Sequence, residues 1–252
     1  MRIFKLDHCF DHPATKGERM KKHYGLMLFF VVLVSIGWTV SSQAMELVPV
    51  TSFDSSWVKW TDGTGTGTLT IDGNKINFNV QGSETGYIDK ELIKTNSSGI
   101  VGIMATIRVD QALNSFGGNC LIGLYQWIGQ INNNKIQLMI SLHQEDNKKY
   151  IRYRVRSVDL STNATKVLTW GTFGDRDGGW VIGESKTVAF ARVGSEFWFY
   201  VAGEPGFVKI QAFGEIKSYT GSGSSPAVSA YSDQGTGNSI SGSVSDIYLI
   251  KE

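Results

Sequence analysis

KIQLMISLH at residues 135–143 and YIRYRVRSV at residues 150–158 alternate apolar and polar side chains with a period of two. Ile136, Leu138, Ile140 and Leu142 fall on one side of the first run, and Ile151, Tyr153 and Val155 on one side of the second. An extended chain sends successive side chains to opposite faces, so each run predicts a β-strand with one face against a core. IVGIMATIRVD at residues 100–110 repeats the pattern, with Val101, Ile103, Ala105, Ile107 and Val109 predicted inward. Gly102, Met104, Thr106, Arg108 and Asp110 are predicted outward.

Further short runs rich in Val, Ile, Phe, Tyr and Thr predict strands at 67–71, 75–80, 119–128, 187–193, 196–201, 207–212 and 239–250. Asp72-Gly73-Asn74, Asn132-Asn133-Asn134 and Gly194-Ser195 separate neighbouring runs with residues that tolerate positive φ, as tight hairpins require. No segment has a sustained helical period. The reading is an all-β fold, a two-sheet antiparallel β-sandwich, with residues 45–252 as a single domain. Thr220 to Ser225 (TGSGSS) reads as a loop within that domain rather than a linker, because the long run that follows needs a sheet to join.

The first 44 residues read as a leader. Residues 25–40 (GLMLFFVVLVSIGWTV) are uncharged and almost wholly apolar, Lys21 and Lys22 precede them, and Ser41-Ser42-Gln43-Ala44 follows. This is the charged, apolar, small-residue order of a signal peptide, and the apolar run is shorter than the about 20 residues a membrane span needs. Met20 begins a compact signal sequence by itself, so translation is expected to start there. The alternative is an uncleaved anchor. The signal peptide implies a secreted or periplasmic address, with no membrane attachment after cleavage.

The leader holds six of the 24 Lys and Arg and three of the 23 Asp and Glu, which leaves 18 against 20. A net charge of −2 offers no general field for nucleic acid or anionic lipid. Cys9 leaves with the leader, so Cys120 is the remaining cysteine and no internal disulfide is expected. Cys120 shares its predicted face with Ile122 and Leu124 and is expected to be buried and unreactive.

Three stretches carry a resemblance. Phe53-Asp54-Ser55-Ser56-Trp57 leading through Gly67 to Gly73 looks like an opening strand and hairpin; TVAFARVGSEFWFYVAG at 187–203 looks like paired strands about a tight turn; SVSDIYLI at 243–250 looks like a closing strand. Together they resemble the concanavalin A-like lectin and glucanase superfamily, in its laminin G-like, bacterial secreted branch. The resemblance implies a jelly roll whose closing strand returns beside the N-terminal one, in a family that mostly binds or cuts glycans. It also implies a structural calcium ion as the one candidate cofactor, with Glu46 and Asp246 as its ligands. Asp175-Arg176-Asp177-Gly178 has part of a calcium-loop pattern but lacks the third acid and the final Glu.

The family's glucanases use a Glu-x-Asp-x-Glu strand, which is absent; Glu145-Asp146 are adjacent and would point to opposite faces of a strand. Its lyases use a Gln-x-His string and a C-terminal Tyr-x-Lys-x-Gly-x-Tyr, and here Ser141-Leu142-His143 stands in place of the first. The residues still form a candidate constellation. His143 shares the outward face with Gln137, Met139 and Ser141, while Tyr150, Arg152, Arg154 and Arg156 share the outward face of the next strand. If the two strands pair, the arginines suit an acidic sugar polymer. His143, Tyr150 and Arg154 would then be the catalytic set of a lyase. The solvated face of a sheet explains the same pattern without function.

Tyr125 and Trp127, and Trp198 and Tyr200, alternate with apolar residues and offer flat rings to a sugar. The expected function is a secreted, non-catalytic glycan-binding domain, with acidic polysaccharide as partner. A jelly-roll polysaccharide lyase and a ligand-free structural domain are the alternatives.

Overall fold

The structure is a computed structural model that describes residues 45–95, 98–114, 117–146, 148–174, 179–217, 225–235 and 237–252. The expectations placed on the leader, on residues 175–178 and on residues 220–224 lie outside the described residues. Within them the chain is all strand, with no helix: β1 (Glu46–Pro49), β2 (Trp57–Gly63), β3 (Thr66–Asp72), β4 (Lys75–Gln81), β5 (Ile88–Lys94), β6 (Ile100–Leu113), β7 (Asn119–Ile131), β8 (Asn134–Glu145), β9 (Lys148–Asp159), β10 (Thr165–Phe173), β11 (Ser185–Val193), β12 (Glu196–Val201), β13 (Val208–Gln211), β14 (Pro226–Ser232) and β15 (Ser239–Lys251).

Two antiparallel sheets stack as a sandwich. An eight-stranded sheet, here sheet A, runs β13-β12-β11-β6-β15-β4-β3, with β1 also paired to β15; a seven-stranded sheet, sheet B, runs β10-β9-β8-β7-β14-β5-β2. Leu47 pairs with Ile250, so the closing strand does lie beside the N-terminal one. The expected hairpins are tight: Asp72 pairs with Lys75, Ile131 with Asn134 and Val193 with Glu196. Gly73, Asn132 and Gly194 have φ of 60°, 52° and 56°, which turns matching the twist of the flanking strands require.

One core fills the space between the sheets. Ile136, Leu138, Ile140 and Leu142 from β8, with Ile151 and Val155 from β9, meet Ile103, Ile107, Val188 and Phe199 from sheet A. Each such side chain contributes about 1.5–3 kcal/mol on burial. Cys120 sits in this core with no exposure, its Sγ 3.4 Å from the Ser232 hydroxyl.

The single wet face expected for β6 is corrected. Met104 is 1 % exposed and Gly102 is buried too. β6 lies in the middle of sheet A, between β11 and β15, so side chains from both neighbours shield its outer face; Arg108 and Asp110, farther along, are exposed.

Candidate functional site

The outer face of sheet B carries a groove of about 490 Å³. Register explains its lining. Outward positions of adjacent strands lie opposite one another: Trp127, Gln137 and Arg156 form one row across β7, β8 and β9, and Tyr125, Met139 and Arg154 form the next. His143 and Tyr150 are paired in the same hairpin. The structure thus brings together Tyr125, Trp127, Gln137, His143, Arg152, Arg154 and Arg156, with Tyr150 at the His143 end.

The arginines make one wall, and they are not equivalent. Arg152 Nη2 is 3.6 Å from Glu145, and its guanidinium lies over the Tyr150 and Trp170 rings at 5.0 and 5.2 Å. Arg154 rests Nη2 on the Met139 sulfur at 3.1 Å, and Arg156 lies 5.4 Å over the Trp127 ring. Among the described residues neither Arg154 nor Arg156 has a carboxylate within ion-pair distance, and the buried Nε atoms of all three arginines have no hydrogen-bond partner. Burial, followed by the neighbouring arginines, pulls Arg154 down to about 10. Beside them Gln137, only 2 % exposed, has an unpartnered side-chain oxygen.

His143 lies in the floor, 2 % exposed. Its Nδ1 is 2.9 Å from the Asn119 side-chain oxygen, and its Nε2 is 2.7 Å from the Ser141 hydroxyl. An amide oxygen only accepts, so Nδ1 carries the proton and Nε2 accepts from Ser141. The Trp180 indole donates to the His143 carbonyl at 2.9 Å, and Tyr150 stacks on the imidazole at 5.2 Å between ring centres. Burial holds the His143 pKa well below its ordinary value, and the charges of Arg152 and Arg154 add to this. Tyr150 is wholly buried and donates its hydroxyl to Glu145.

The opposite wall is acidic. Asp89 and Glu91 alternate with Lys90 and so project from one face of β5, close enough for each to shift the other's proton affinity. Tyr125 donates to Glu91 at 2.5 Å and Ser229 to Asp89 at 2.8 Å. Burial raises Glu91 to about 7, with the Asp89 charge adding to it, and raises Asp89 to about 6; Arg156 opposes both. Sequence reasoning passed over these acids. Their signal was the Asp-x-Glu alternation in IDKELIK, which places both on one strand face. Tyr231, whose hydroxyl donates to Asp233 at 2.7 Å, was also passed over.

Trp198 and Tyr200 are not brought to the groove. They lie on sheet A, where Phe207 packs on both rings at 5.4 Å and Lys209 Nζ caps Trp198 at 4.1 Å, leaving Trp198 3 % exposed. Glu46 and Asp246 are not brought together either. Glu46 pairs with Lys251 near one end of β15, while Asp246 sits in a bulge with φ 49°, and both are exposed. Among the described residues no three His, Cys, Asp or Glu are grouped to hold a metal ion. These residues do not fit the calcium ion of the superfamily.

The sequence matches no family profile and no curated protein. Solved structures are similar in fold. A 1,3-α-1,4-β-D-galactose-4-sulfate-3,6-anhydro-D-galactose 4 galactohydrolase matches with a TM-score of 0.54 at 9% identity, over 84% of this chain and 98% of that one. The κ-carrageenase of Pseudoalteromonas carrageenovora, in complex with an oligotetrasaccharide of κ-carrageenan, matches with a TM-score of 0.52 at 9% identity and the same coverage. The fold is a concanavalin A-like jelly roll.

Proposed function

We propose that the chain is a secreted or periplasmic glycan-binding protein whose sheet B groove holds an acidic polysaccharide without cleaving it. The observation that carries the reading is the pair Arg154 and Arg156, which face the groove with no carboxylate of the described residues at ion-pair distance. A carboxylate or sulfate on a sugar supplies the missing acceptor, and a hydrogen bond to a charged group contributes about 1.5–3 kcal/mol. Gln137 adds an unpartnered polar atom beside them, and Tyr125 lines the groove with its hydroxyl on Glu91. Of the two similar structures, one is a galactose-4-sulfate galactohydrolase and the other holds a κ-carrageenan oligosaccharide, which agrees with an anionic glycan as the partner class.

Binding is favoured over elimination by the state of the candidate bases. The His143 ring nitrogens are both engaged within the floor, and Tyr150 is buried against Glu145. A base must reach the proton it removes, and here neither does. The test is titration of the purified domain with alginate, polygalacturonate, κ-carrageenan and a neutral β-glucan. The expected result is binding to acidic chains that weakens as salt rises, because charge contacts at the groove are screened. Preference for the neutral glucan with no salt dependence overturns the reading.

A further inference from the structure

Six of the seven strands of sheet B line the groove, and the two edges of the sheet carry its most exposed rings. Trp60 on edge strand β2 is 44% exposed and Trp170 on edge strand β10 is 58% exposed, whereas Trp57, Trp180 and Trp198 are 8% exposed or less. Both exposed rings belong to the groove face. Trp60 lines the groove directly, and Trp170 pairs with Arg154 and lies against the guanidinium of Arg152. Trp127, near the middle, is less free, since Lys135 and Arg156 both sit over its ring.

The register connects the two edges. From Trp60 one row runs across the sheet through Glu91, Ser229, Gly123, Ser141 and Arg152, each paired with the next. Between the acidic and basic walls this row consists of two serines and a glycine, the smallest side chains that a path could cross. Gly123 is held small by its neighbour, because a Cβ there would stand 2.4 Å from that of Ser141. Trp170 lies one row from the far end, opposite Arg154.

We infer that Trp60 and Trp170 are the two terminal stacking platforms of one extended acidic polysaccharide, which crosses sheet B perpendicular to its strands along this row of small side chains. This rests on the glycan-binding reading of the groove. Sugar rings present apolar C–H faces that pack on exposed indoles, as other flat apolar surfaces do. Six inter-strand spacings separate the edge strands, a span of roughly 29 Å. A chain lying along the strands between the two walls would touch at most one of the two rings, so the rings discriminate the two directions.

The experiment is calorimetric titration with oligouronates of graded length from alginate and sulfated oligosaccharides of graded length from carrageenan. It compares the unaltered protein, Trp60→Thr, Trp170→Thr, the double variant and Arg154→Ala/Arg156→Ala. Threonine keeps strand propensity at an exposed edge, so unchanged melting is the control. Affinity should climb with oligomer length and level off once a chain spans both edges. Each single tryptophan variant should weaken the longest oligomers about five- to tenfold while leaving the shortest unchanged, and the double variant should abolish the length dependence. Full affinity for long oligomers in both single variants, with binding lost in the arginine pair, overturns the crossing path and leaves the groove reading intact. Failure of the unaltered protein to bind either series overturns both.

Discussion

Tyr125-x-Trp127 on β7 and Trp198-x-Tyr200 on β12 are the same motif in sequence, two large rings on the outward face of an inner strand. Their surroundings differ. Across from Tyr125 and Trp127 stand Met139, Gln137 and two arginines, long side chains that leave a groove between them. Across from Trp198 stands Lys209, and Phe207, just before the short strand β13, folds back over both rings. Alternation sets which face a ring takes; what lies over that face is set by a residue several positions away that carries no periodic signal. The sheet B pair is therefore positioned for a ligand and the sheet A pair for packing.

The two faces are told apart most directly by removing charge from one and a ring from the other. Arg154→Ala combined with Arg156→Ala should lower affinity for an acidic polysaccharide about 100-fold, or about 3 kcal/mol, with little change in melting. Trp198→Ala should leave affinity within twofold and cost about 3 kcal/mol of stability, because it empties a packed site beneath Phe207 and Lys209. Titration calorimetry and denaturant unfolding measure the two quantities. If Trp198→Ala weakens binding as much as the arginine pair does, the two faces are not functionally distinct.

The same contrast shows how much the sequence disclosed. The inward and outward faces of β8 and β9 were legible, although both strands run one or two residues farther at each end than the alternation marks, since Ile136, Leu138, Ile140 and Leu142 alternate without interruption and their inward set is the core. So was the row of groove arginines, which follows from that register. β5 and β14 were not. Ile88 and Leu92 in IDKELIK are four apart with charges between them, a spacing that suits a helix as well as a strand, and PAVSAYS opens on a proline and has only Val228 and Tyr231 as strong strand formers. Both become strands because sheet B extends past β7 and leaves their backbone groups partners to pair with. With β5 missing from the reading, Asp89 and Glu91 were missing from the site, and half of the groove could not be anticipated. The candidate calcium ligands taken from resemblance lie apart because Glu46 pairs with Lys251, five residues beyond Asp246 along β15.

Ionisation separates the two faces further, since Asp89 and Glu91 both face the groove. Burial raises the proton affinity of both Asp89 and Glu91 above that of ordinary carboxyls, so the folded protein holds more protons than the unfolded chain between the usual carboxylate range and about pH 7. Stability from this pair is therefore full at low pH and is lost as pH rises through that window, on the order of 1 kcal/mol for each tenfold difference in proton affinity between the folded and unfolded chain. The groups facing the pair are Arg156, which favours its ionisation, and Asp62, which opposes it at Asp89; the Tyr125 and Ser229 hydroxyls donate to it. Once ionised, the pair repels an anionic ligand. Affinity for an acidic polysaccharide should fall about three- to tenfold between about pH 5.5 and about pH 8, an expectation of electrostatic repulsion at partly buried sites. Asp89→Asn with Glu91→Gln should flatten both profiles. A pH dependence that persists in that double variant places the titrating group elsewhere.

The smallest effect is expected at His143, the residue a lyase would need. Its ring is buried, Nδ1 donates to Asn119, Nε2 accepts from Ser141, and Tyr150 stacks on one face, so neither ring nitrogen is left for a sugar. Because its pKa is held below the ordinary histidine value, it contributes stability that is present above about pH 6.5 and is lost as pH falls toward the folded-state value, opposite in sign to the carboxyl pair. His143→Gln keeps a donor and an acceptor near Asn119 and Ser141 and removes the titration. The variant should bind acidic polysaccharide within about threefold of the unaltered protein, a difference under about 1 kcal/mol, and should lose the acid limb of the stability profile. Neither protein should release unsaturated, ultraviolet-absorbing ends from alginate, polygalacturonate or hyaluronan. Such products from the unaltered protein, abolished in His143→Gln with affinity preserved, would mean that the floor opens on binding and frees Nε2 from Ser141, and the groove would then be an active site.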